Sequence, residues 1–100
     1  MANYNAENLT RILGKEIIVR DEQENEVPLT VAEVNISSLN GDEWEAFSVI
    51  YKGDASFHIP QGTFTFCHSV FGEIALFVSP KSETEYETVI SRKRPELVMS

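Results

Sequence analysis

The chain has a single cysteine, Cys67, in 100 residues, which excludes an internal disulfide framework. Histidine is almost as scarce, with only His58 and His68. These three are the only soft metal ligands, and no CxxC, HxH or HExxH spacing occurs. Neighbouring positions on a strand point to opposite faces, so Cys67 and His68 cannot easily share an ion. The same geometry separates them as a nucleophilic pair, unless His58 partners Cys67 from an adjacent strand. The serine motif GxSxG is absent, as are the phosphate-cradling GxGxxG and GxxxxGKS/T patterns. Paired carboxylates carry no signal in so acidic a chain. The expectation is therefore no catalytic residue, no metal site and no cofactor.

Long apolar runs are missing too. None reaches the ~18 residues of a membrane span. The opening MANYNAENLTRILG has neither a basic n-region nor a long apolar h-region. These features predict a cytoplasmic chain with no membrane partner; export without a leader, or incorporation into a phage-like particle, would leave no trace here. Cations are scarce: eight Lys/Arg against 16 Asp/Glu give a net charge of −8. Up to Ser91 the balance is five against 15, and such a body repels phosphate backbones. Arg92, Lys93 and Arg94 are too few for a nucleic-acid patch and read as a solubilising tail that contacts the acidic body. Predicted partners therefore exclude nucleic acid.

The sequence is richest between Phe57 and Ser79, where five of its six phenylalanines lie. Phe64, Phe66 and His68 alternate with Thr63, Thr65 and Cys67, the period of a half-buried strand. Pro60-Gln61-Gly62 precedes it as a tight turn, Pro presetting φ and Gly allowing positive φ. Phe57-His58-Ile59 reads as a short strand before that turn. Gly72 follows in the next connection. Ile74 to Val78 is apolar at every position, as in a strand covered on both faces, and Pro80 ends it.

Elsewhere the pattern is similar. Residues 5–13 predict a helix capped by Asn3 or Asn5, with Leu9, Ile12 and Leu13 as its apolar stripe and Gly14 as its C-cap. A strand follows from Glu16, with Ile17 and Val19 on one face. The charged DEQENE run is a solvated turn. From Val27 to Ile36 the apolar parity switches between Val31 and Val34, which predicts a bulge near Ala32-Glu33. Asn40-Gly41-Asp42 signals a turn. Trp44 reads as a rim residue capping the core, or else as an exposed partner anchor. Strands at Ala46–Lys52 and Tyr86–Ile90 complete the set. One domain spans 1–91, and a C-terminal tail spans 92–100. The predicted core is Leu9, Ile12, Leu13, Ile17, Val19, Val34, Phe47, Val49, Tyr51, Phe64, Phe66, Ile74, Leu76, Val78 and Ile90. His68 shares the inward parity of Phe64 and Phe66, so a turn backbone group or Gln61 should satisfy its imidazole.

Four segments together resemble a known pattern: FSVIYKG (Phe47 to Gly53), PQGTFTFCH (Pro60 to His68), FGEIALFVSP (Phe71 to Pro80) and YETVI (Tyr86 to Ile90). They are similar to an uncharacterised bacterial family of small β-domain proteins of about this length. Leu9 to Ile17 and Leu29 to Val34 fit more loosely. The chain departs from the pattern at Ile59, usually Leu, and in its tail beyond Ile90. The resemblance implies a small antiparallel barrel or roll with an N-terminal helix, and genes lying near those of phage-tail-collar-like proteins. It implies no activity.

The fold expected is mainly β: a small antiparallel barrel or roll of about six or seven strands with one N-terminal helix. Pro60, Gln61, Gly62, His68 and Gly72 are its structural turn and core residues, and Trp44 is the candidate partner contact. The function expected is a non-enzymatic structural or adaptor protein of a phage-tail-like or fibre-like assembly. It would bind a tail-collar-like protein or itself. A small-ligand-binding barrel is the alternative, and a small hydrolase or metal enzyme using His58, Cys67 or His68 is the second.

Overall fold

A computed structural model describes residues 3–93. It is mainly β, with one short helix, α1 (Ala6–Arg11), and six strands: β1 (Glu16–Arg20), β2 (Glu26–Ile36), β3 (Trp44–Lys52), β4 (Gly62–His68), β5 (Gly72–Pro80) and β6 (Glu85–Lys93). All pairings are antiparallel, and the order β1-β2-β3-β6-β5-β4 closes into a barrel through β1 and β4. Closure gives every strand two neighbours, although β5 and β6 pair only over Val78–Pro80 and Tyr86–Thr88. Inward positions alternate as period two requires: Ile17 and Val19, Leu29 and Val31, Phe47, Val49 and Tyr51, Ile74, Leu76 and Val78 are buried. The register of β2 on β3 slips between Val31 and Glu33, so Val31 and Val34 both face inward.

Four of the five connections join neighbouring strands, whereas β3 to β4 must cross the top of the barrel. Residues 53–61 make that crossing, with Ile59 buried and its backbone N–H donating to the Tyr86 hydroxyl at 3.0 Å. Gly53 gives close approach where the crossing starts: a Cβ there would sit 2.8 Å from Leu29 Cδ2 and 3.1 Å from the Phe57 ring, so those side chains would have to shift. The opposite end is closed by α1. Asn5 Oδ1 accepts from the Asn8 N–H at 2.8 Å, and Leu9 and Ile12 turn into the core. Gly14, at φ 81°, lies two residues beyond the C-cap Ile12 and passes its N–H to the Val31 carbonyl.

Several expectations need correction. Phe57 to Ile59 pairs with no strand, so the central stretch holds two strands, and Pro60-Gln61-Gly62 leads out of a crossing rather than joining a hairpin. Leu13 is 43% exposed because the helix ends before its stripe is complete. β5 is not covered on both faces: a barrel has one inner face, and outward Phe77 is 54% exposed. Val34 and Phe64 are only half-buried, while Tyr4, Leu29, Val31, Ile59, Phe71 and Tyr86 join the core. Arg92 and Lys93 belong to β6, not to a tail, because β3 runs back to Trp44 and gives them partners. The expected tail beyond them, 94–100, lies outside the described residues.

Candidate functional site

Unusual chemistry starts from buried polar groups. The Tyr4 hydroxyl is inside the barrel, 2.7 Å from the Tyr51 hydroxyl and 2.8 Å from Thr88 Oγ1. Its ring stands edge-on to Phe71 and tilted against Phe47. Burial pushes the Tyr4 phenol from its ordinary 10.0 up to about 12, although its bonds to Thr88 and Tyr51 and the Arg92 charge pull the other way. Burial also raises Tyr51, and the neighbouring Tyr4 adds to the rise. These phenols stay protonated and act as hydrogen-bond partners, not as bases.

Their protonation has a measurable consequence. A folded pKa above the unfolded one favours the native state below the unfolded value, and the benefit is lost as pH rises through the folded one. From Tyr4 alone, about 3 kcal/mol should disappear between roughly pH 10 and 12. Urea midpoints measured across this range should fall, and the fall should be smaller in Tyr4→Phe.

The residues predicted from the sequence do not converge. His68 closes the β4–β5 hairpin: its Nδ1 accepts the Val70 N–H at 3.0 Å, and its ring lies against Phe71. Phe71 N–H bonds to the His68 carbonyl and Gly72 takes φ 77°, the three-residue hairpin with a left-handed exit. His58 is exposed, its ring 5.8 Å from that of Tyr86 at the other end. Cys67 is on the outer face of β4, half-exposed beside Arg20 and Glu73 rather than packed in the core. Partial burial pushes its thiol above the ordinary 9.0, the opposite of activation. No group of three or more His, Cys, Asp or Glu side chains that could hold a metal ion occurs among the described residues.

Trp44 leads to the most distinctive surface. It does not cap the core: it is 39% exposed on the outside of β3, and its Nε1–H donates to Ser91 Oγ at 3.1 Å. Pairing across β2, β3 and β6 arranges the outer side chains in rows. Glu33, Ile50 and Glu87 form one row; Asn35, Ser48 and Val89 form the next; Ser37, Ala46 and Ser91 follow, and then Trp44 and Lys93. Small side chains in the middle rows leave a groove of about 350 Å³. Its apolar walls are Val89, 63% exposed, and Leu39, 67% exposed, from the β2–β3 loop. One end of this face carries Glu33 and Glu87, and the other carries Lys93. Sequence reasoning found Trp44 but missed the groove, because its residues come from three strands and meet only through register.

No curated protein and no solved structure matches the chain. A family model does match, over residues 4–90, from the buried tyrosine at the foot of the barrel to the last core residue of β6. The barrel with its filled interior and grooved outer face thus belongs to the family described as "Domain of unknown function (DUF6916)".

Proposed function

We propose that this domain is a non-enzymatic structural or adaptor protein that works through protein–protein contact, as a component or accessory of a phage-tail-like or fibre-like assembly in the cytoplasm. The outer face of β2–β3–β6 carries the proposal. Trp44, Leu39 and Val89 stand exposed around a concave floor of small residues, whereas the barrel's tyrosines and His68 are engaged in the fold. Clustered exposed apolar side chains of this kind mark interaction sites. The packing of Tyr4, Phe47, Tyr51, Phe66 and Leu76 in the core supports this reading over the small-ligand-binding alternative. The fibre-type partner comes from the gene neighbourhood that the family resemblance implies.

The test is a tagged pull-down from the native host, read by mass spectrometry. Stoichiometric recovery of a tail-collar-like or fibre protein is expected, with the yield lost in Val89→Glu. Undiminished recovery by Val89→Glu would move the contact to another face, and no specific recovery would sink the reading.

A further inference from the structure

We infer that the open seam between β5 and β6 takes an extended peptide segment of another protein as an added strand, paired antiparallel to β5. This contact is separate from the grooved face and stands on different observations. Lys81 N–H bonds to the Glu85 carbonyl at 2.7 Å, so Lys81 turns its backbone groups toward β6. Alternate residues of an antiparallel strand turn theirs to the same side, and the registers of β5 with β4 and with β6 run without a slip. Ser79 therefore faces Glu87 within the paired rungs, and Phe77, Ala75 and Glu73 face the seam beyond them. On the other side Gly53 N–H bonds to the Thr84 carbonyl, which turns the even-numbered residues of β6 to β3 and leaves Val89, Ser91 and Lys93 facing the seam. All six of these residues are exposed. Among the described residues no backbone bond joins the two rows or reaches them from the N-terminal segment. Tyr4 enters the fork with its side chain, and its carbonyl goes to the Arg92 guanidinium, so it supplies the seam with no strand.

A row of unpaired N–H and C=O groups is matched by another extended backbone, which is the basis of strand addition. β5 and β6 run in opposite directions, so one inserted strand cannot be antiparallel to both. The antiparallel ladder is the more stable one, and β5 offers the better side chains for it. Its outward Phe77 is 54% exposed and shares its face with Ala75, whereas β6 offers Val89 with the polar Ser91 and Lys93. These features define the segment. It carries β-branched or aromatic residues two apart, opposite Phe77 and Ala75. The residue between them points inward, where Tyr4 stands, and must be small. Cationic residues flank it, because the chain's net charge of −8 attracts them and repels an acidic segment.

The probe is the end-capped peptide Lys-Val-Ser-Val-Ser-Val-Lys, added to the full isotope-labelled chain and followed by NMR shifts and amide exchange. In the free protein the amides of Glu73, Ala75 and Phe77 should exchange about tenfold or more faster than those of Ile74, Leu76 and Val78, which turn to β4. Peptide at millimolar concentration should shift the first three and slow their exchange about tenfold. Ala75→Pro removes one N–H from the seam and none from the β4 ladder, so it should fold and lose the peptide. Two modified peptides test the pairing with the protein unchanged. N-methylation of the valines, which face β5, should abolish binding, and N-methylation of the serines should leave it intact. Protection of Glu73, Ala75 and Phe77 in the free chain, no shift on adding peptide, or equal binding of the two modified peptides would each overturn the added strand. Self-association of the protein alone that Ala75→Pro abolishes would give the seam to a second copy and overturn the foreign segment. None of these results bears on the grooved face, whose own test is capture by Val89→Glu.

Discussion

Tyr4→Ala should destabilise the domain by about 4 kcal/mol, the range for deleting a large buried aromatic. The reason lies in how the barrel closes. β5 meets β6 only from Val78 to Pro80, opposite Thr88 to Tyr86. Below that point the ladder stops, so Gly72–Phe77 and Val89–Lys93 have no strand partner across the seam among the described residues. Tyr4 sits at this fork, with its hydroxyl on Thr88, the last β6 residue paired across the seam, and its ring against Phe71 in the β4–β5 turn and Phe47 on β3. Truncation would leave a cavity and take a shared partner from the Tyr51 and Thr88 hydroxyls. Domains of this size are stable by only ~5–15 kcal/mol, so the loss should lower the melting temperature by roughly 20 °C. Tyr4→Phe keeps the packing and removes the hydroxyl, and should cost about 1–2 kcal/mol. Urea unfolding of the two variants separates the contributions. A Tyr4→Ala cost under about 1 kcal/mol would mean that the seam is held without it.

Much of this barrel can be read from local pattern, and its keystones cannot. Alternation placed β1 and β4, and in β3 it placed the inward Phe47, Val49 and Tyr51, although Ala46 and Ile50 on the other parity are buried too. The parity switch between Val31 and Val34 showed the bulge because an inserted residue is the only way for a strand to keep its face inward. Gly72 marked its hairpin because few other residues accept a positive φ. Tyr4 carried no such mark: a lone aromatic before a helix has no period, and its burial comes from strands 47 to 84 residues away. Arg92 and Lys93 were misread for the opposite reason. Next to Arg94 and Pro95 they look like a charged tail, and only the pairing of β3 reveals three further rungs beyond Ile90: Ala46 with Ser91, Glu45 with Arg92 and Trp44 with Lys93. Ile74 to Val78 misled because a wholly apolar run predicts two covered faces. Here its outward members, Ala75 and Phe77, are left to solvent. The groove was the least legible feature, since its short segments on β2, β3 and β6 meet only through strand register.

Arg92→Met should cost about 3 kcal/mol, although Arg92 is only half-buried. Its Nε and Nη2 both reach Glu45 Oε1 at 2.6 Å, and Nη2 also donates to the Tyr4 carbonyl at 2.8 Å. Glu45 is buried, so removing the guanidinium would strand a carboxylate away from water and release the backbone that holds Tyr4 in the seam. The surface pair Arg20–Glu73 offers the contrast: it is exposed, and breaking it should change stability by under about 1 kcal/mol. The buried pair is costly to break, but it is not well satisfied, because Arg92 Nη1 has no hydrogen-bond partner among the described residues. Replacing both partners, Glu45→Met with Arg92→Met, should therefore recover most of the loss and leave about 1 kcal/mol for the missing bond to the Tyr4 carbonyl. A double-mutant cycle by urea denaturation would measure this as strong coupling between the two positions. Additive losses would instead show that each side chain stabilises the foot of the barrel on its own, Glu45 through its stem and Arg92 through Tyr4. With coupling, the pair's value is mutual neutralisation, and the last two residues of β6 divide their work: Arg92 turns inward to hold the seam, and Lys93 turns outward to the grooved face.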